Sequence, residues 1–174
     1  MKNITAILIC ILFTGSVMGQ SNAILDFQKR YKDSGKYFSV KIEGGLLKIL
    51  SNVETNDPDA QELIKLINGI EAIDIHSISK TESNFTSEDA GAFMKKIKKE
   101  KFEDLMVVND SDGKINFLIK ESHGKISDLI LLVNDKDEFL VMNISGDIDL
   151  HSIAKLSDKM NFKGAENLEK LKDE

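Results

Sequence analysis

The chain has 174 residues, with 23 Lys and Arg against 29 Asp and Glu, no Trp and a single cysteine, Cys10. This acidic balance repels polyanions, and the basic and aromatic interleaving on which single strands stack is missing, so nucleic acid is excluded as a partner. Lack of Trp argues against a carbohydrate-stacking groove, while the length suits one domain with a core of its own.

The chain opens on a leader. Lys2, an apolar run over residues 4–13, and Val17 and Gly19 two apart have the three-part layout of a secretory signal. A run of about ten residues cannot cross a hydrocarbon core, which needs roughly 20. Cleavage is therefore expected between Gly19 and Gln20, removing residues 1–19. The product would be exported, periplasmic or secreted, with no stable membrane span. Cys10 follows Ile9 in the middle of the apolar run rather than a small residue at its end, so the chain does not read as a lipoprotein. Loss of the leader takes away Lys2 and Cys10. It leaves 22 basic residues against 29 acidic ones, a net charge of −7, and neither disulfides nor thiolate chemistry.

Ile24, Phe27 and Tyr31 recur at helical spacing beside Leu25, predicting a helix over residues 22–33. Phe38, Val40 and Ile42 alternate with Ser39 and Lys41, the period of a half-buried strand, which Gly44 and Gly45 end. A short helix is expected over residues 46–50. Asp57 and Pro58 then open another, with Leu63, Ile64 and Ile67 on its stripe and Gly69 at its end. Residues 71–79 read as a strand. The clearest helix covers residues 86–99: Thr86 and Asp89 form a capping box, and Ala90, Phe93, Met94 and Ile97 share one face. Acidic Glu88 and Asp89 lead it and a lysine run closes it, matching the helix dipole.

Four apolar segments separated by turn chemistry follow, over residues 105–108, 115–119, 126–133 and 139–144, predicting an antiparallel meander. His123 and Gly124 supply a tight two-residue connection. In the second segment Ile115, Phe117 and Ile119 oppose Asn116 and Lys120, and the face bearing Asn116 and Lys120 is expected to be the wet one. The third segment, apolar on both faces, suits a central position. Gly146 is read as the release from the last strand and Asp149 as the cap of a closing helix carrying Leu150, Ile153, Ala154 and Leu156. Helices and strands are largely segregated, which predicts an α+β fold: a four-strand meander extended by one or two N-terminal strands, with helices mainly on one face. The domain is assigned residues 20–160, and residues 161–174 a charged, disordered or frayed tail.

No metal site is nominated. With Gly113 as the glycine of a Ca²⁺ loop, Asp110 and Asp112 fall on ligand positions, but the first position becomes Val108 and the closing glutamate becomes Ile119. There is no nucleophile elbow, no S-x-x-K and no phosphate-cradling loop, and His76, His123 and His151 are far apart without zinc-like spacing. No catalytic or cofactor-binding residue is named and no cofactor is expected. The glycan-acceptor tripeptides at Asn84 and Asn143 fall inside predicted elements and read as incidental.

Residues 93–156 resemble the exported bacterial family known as domain of unknown function 4252. The likeness lies in the lysine-rich helix, in Phe102-Glu103-Asp104-Leu105-Met106 opening the meander, and in residues 140–144 leading into Ser145-Gly146-Asp147-Ile148-Asp149-Leu150. The resemblance implies a small secreted or periplasmic domain of a Gram-negative bacterium and carries over no active-site residue. The expectation is a non-enzymatic binding or accessory domain whose partner is an envelope protein or lipid, with its site on the sheet face around Asn116 and Lys120. The alternatives are a domain enclosing an apolar small molecule or lipid between sheet and helices, and an uncharacterised hydrolase.

Overall fold

The computed structural model describes residues 21–109 and 111–149, without the side chains of Asp59, Glu62 and Leu66. The leader and its cleavage site, His151, the closing helix and the tail lie outside the described residues.

The described residues form an α+β fold of four helices and one six-stranded antiparallel sheet. Helix α1 (Asn22–Tyr31) starts at Ser21, whose side chain accepts from the Ile24 N–H at 3.4 Å, and buries Ala23, Ile24, Phe27 and Tyr31 along one face. Strand β1 (Tyr37–Glu43) runs straight into α2 (Gly44–Ser51), and α3 (Pro58–Gly69) runs straight into β2 (Ile70–Ser79). Helix α4 (Ser87–Lys99) carries the expected capping box: Thr86 Oγ1 accepts from the Asp89 N–H at 3.2 Å, and Asp89 Oδ2 accepts from the Thr86 N–H at 2.9 Å. The meander follows as β3 (Glu103–Asn109), β4 (Gly113–Ser122), β5 (Lys125–Asp135) and β6 (Glu138–Ile148).

The sheet order is β1-β2-β6-β5-β4-β3, so the two early strands extend the meander beyond its last strand and β6 becomes interior. The β4–β5 turn follows from the sequence: His123 (φ 55°) and Gly124 (φ 76°) both take positive φ, as a two-residue turn matched to strand twist requires. Gly146 departs from its expected role. It lies within β6 rather than at its end, because the close approach there demands glycine: at φ 143°, a Cβ on it would stand 2.2 Å from the Gly69 carbonyl oxygen. Gly69 faces the same crowding, with a Cβ there falling 2.3 Å from the Asp147 carbonyl oxygen.

Helices α1 and α4 lie side by side, joined by Lys96–Asp26 at 2.7 Å, Arg30–Asp89 at 2.9 Å and the Ala23 N–H donating to Glu100 Oε1 at 2.8 Å. Between them and the sheet is the core. Phe139 stacks on Phe85 with ring centroids 4.6 Å apart and meets Phe27 and Phe93 at 5.5 Å each. The strands contribute Ile78, Leu118, Ile130, Leu132, Phe139 and Val141, all from one sheet face.

That face is the reverse of the one expected for β4. Asn116 is 3% exposed and Leu118 fully buried on the core side, and Lys120 on the same side lies over the Phe102 ring at 5.6 Å. Ile115, Phe117 and Ile119 are the outward set, half-buried. Alternation sorts residues into two faces without saying which meets the helices. Here the bulky aromatic residues of α1 and α4 meet the face on which Leu118 aligns with Ile130.

Candidate functional site

Three groupings carry chemistry that the core does not use. The first is polar and lies on the inner sheet face. On β2, Asp74 stands between Lys41 of β1 and Asn143 of β6, and His76 stands between Ser39 and Val141. Tyr37, held in the core through its ring contact with Phe27 at 6.0 Å, brings its hydroxyl to 2.5 Å from His76 Nδ1. Asp74, His76 and Asn143 are 5%, 3% and 3% exposed. Asp74 Oδ1, His76 Nε2 and Asn143 Oδ1 have no hydrogen-bond partner among the described residues. Burial raises the Asp74 pKa against the pull of Lys41, and burial lowers that of His76 against the pull of Asp74. Both groups are thus driven towards their neutral forms. The three side chains are buried, and the Tyr37–His76 contact links edge strand β1 to β2.

Of the other histidines, His123 is exposed in its turn with Nδ1 at 2.9 Å from the Ser122 hydroxyl, at a distance from His76 along the sheet. Among the described residues no cluster of three His, Cys, Asp or Glu side chains could hold a metal ion. Asn143, the second glycan tripeptide's acceptor, is buried within β6.

The second grouping is the outer sheet face. Register aligns three rows across the six strands: Phe38, Ser77, Leu140, Val133, Ile115, Val108; then Val40, Ile75, Met142, Leu131, Phe117, Met106; then Ile42, Ile73, Ile144, Leu129, Ile119, Glu103. Only Ser77 and Glu103 interrupt them. At about 4.8 Å between strands and about 6.8 Å between rows, the side-chain positions span roughly 24 Å by 14 Å. None of these residues belongs to the core cluster.

The third grouping is the α2–α3 pair, packed together where β1 ends and β2 begins, around an open cleft of about 150 Å³ lined by Gly44, Leu47, Ser51, Ile67 and Ile70. Helix α2 buries Leu47 and turns its apolar stripe outward. Leu46, Ile49 and Leu50 of α2 are 50%, 68% and 42% exposed, Val53 just beyond its C-cap is 52% exposed, and Leu63 of α3 is 43% exposed. The sequence predicts a short helix over residues 46–50, but the outward direction of its apolar side chains is set by packing and not by spacing along the chain.

A family model described as Domain of unknown function (DUF4252) matches residues 31–156. The chain belongs to this family. No curated protein and no solved structure matches it. The matched region takes in all three groupings and continues past β6, to residue 156. No helix among the described residues is long and apolar enough to cross a membrane.

Proposed function

We propose that this protein is an exported, non-enzymatic binding domain of the cell envelope that docks a protein partner through the outward stripe of α2. The observation that carries the reading is the exposure of Leu46, Ile49 and Leu50 on one side of a short helix, with Val53 exposed just beyond its C-cap. Apolar anchors at this spacing are what a hydrophobic groove on a partner accepts, and contiguous exposed apolar surface marks interaction sites. Export rests on the three-part leader at residues 1–19. The acidic net charge then limits non-specific adhesion and leaves apolar contact as the attractive part of recognition.

The reading tested is capture of an envelope protein by the mature domain, compared with a Leu46→Asp/Ile49→Asp variant and with an unrelated domain of similar charge. Retention by the native domain alone is expected. Equal retention by all three defeats the proposal. Co-sedimentation of the native domain, but not the variant, with phosphatidylcholine vesicles would reassign the stripe to a lipid surface. The other apolar reading, a small molecule enclosed between sheet and helices, has less to support it, because the rings of Phe27, Phe85, Phe93 and Phe139 fill the middle of that layer.

A further inference from the structure

The outer sheet face is a broad apolar surface that stands outside the core. An apolar surface roughly 24 Å by 14 Å is of the size that soluble domains bury or use for association. Strand β6 is third in the six-strand order and ends at Ile148, so the chain leaves the sheet from its interior with 26 residues following in the sequence. The family match continues across this exit to residue 156, which makes the segment beyond β6 part of the shared domain. Its sequence is amphipathic: Leu150, Ile153, Leu156 and Met160 recur at helical spacing, with Lys155 and Lys159 on the opposite side.

We propose that residues 150–160 turn back at Asp149 and lie as a helix antiparallel to β6, covering the middle strands of the outer face. The dimensions agree, since an eleven-residue helix is about 16 Å long and about 10 Å wide, enough to cross all three rows and cover two or three strands. This surface is separate from the α2 stripe, so either proposal can fail alone.

The test is cysteine labelling in the full chain with Cys10→Ser, comparing Leu131→Cys on β5 with Phe38→Cys on β1. Leu131→Cys should react with a maleimide about tenfold or more slowly than Phe38→Cys, at a rate unchanged by dilution, as expected of a site reached only through local opening. Adding Ile153→Asp/Leu156→Asp should bring its rate up to that of Phe38→Cys. Equal rates in the chain that keeps Ile153 and Leu156 overturn the proposal, as does an unchanged slow rate in the folded double variant. A slow rate that climbs on dilution also overturns it, because the cover would then be a second copy. If the double variant does not fold, the comparison of the two single sites, with its dilution series, still decides.

Discussion

The two faces of one sheet have unlike fates. The inner face holds Leu118, Ile130 and Phe139 beside buried Asn116, Asp74, His76 and Asn143, and helices α1 and α4 pack on it. The outer face is almost wholly apolar yet adds nothing to that core. Polarity therefore did not choose the side that meets α1 and α4. Volume and shape did: α1 and α4 bring Phe27 and Phe93, and together with Phe85 these need a partner of Phe139's size and a surface into which rings interlock at 4.6 to 5.7 Å.

The sharpest way to break this comparison is to cut equal volumes from the two faces. Phe139→Ala should lower stability by about 3–5 kcal/mol, because it opens a cavity among three aromatic rings, whereas Phe117→Ala on the half-buried outer face should lose markedly less. Urea denaturation of both variants checks this, and equal losses would show that the outer face is as tightly packed as the core.

A pH-dependent difference comes next. The His76 pKa is lowered in the folded protein, so the unfolded chain takes up a proton first as pH falls below about 6.5. The stability attached to a neutral His76 is present above that value and is lost as pH drops towards the folded pKa. Asp74, raised by burial, acts in the opposite sense: its contribution is present below its unfolded pKa of 3.8 and is lost as pH rises through the folded one. Comparison with His76→Asn separates the two. Between pH 7.5 and 5.5 the native protein should lose stability relative to the variant, and parallel curves would show that His76 is not neutral and buried in solution.

Smaller still is the cap of α4. Thr86→Ala removes one half of the reciprocal pair with Asp89 and should lower the denaturation free energy by about 1 kcal/mol. The smallest effect is expected where a large apolar residue is already in water. Ile49→Ser, at a position 68% exposed, should change stability by no more than about 0.5 kcal/mol. A large loss there would mean that the α2 stripe is covered within the folded chain and is not a docking surface.

The elements themselves were legible in the residues. Thr86 and Asp89 announced the start of α4, Asp57 and Pro58 that of α3, and His123-Gly124 the β4–β5 turn, because caps and turns are decided by neighbours along the chain. The family was legible as well, through the run from the lysine-rich helix to the end of the meander. The buried polar cluster was not. Tyr37 and His76 are 39 positions apart, and only the β1–β2 register brings the hydroxyl onto the ring. The outward direction of the α2 stripe was hidden for the same reason, since amphipathic spacing has no sign until something packs on one side.

By itself, then, the sequence determined an acidic α+β chain with these helices, these strands and this meander, all of which follow from short-range periodicity and composition. Tertiary structure alone decided that β1 and β2 join beside β6, that Asn116 and Lys120 turn inward, and that Gly146 presses against Gly69 inside a strand. Those outcomes depend on which surfaces fit one another in three dimensions. Alternation along a strand creates two faces of comparable apolar character, and only the shape of the helices laid against them breaks the tie.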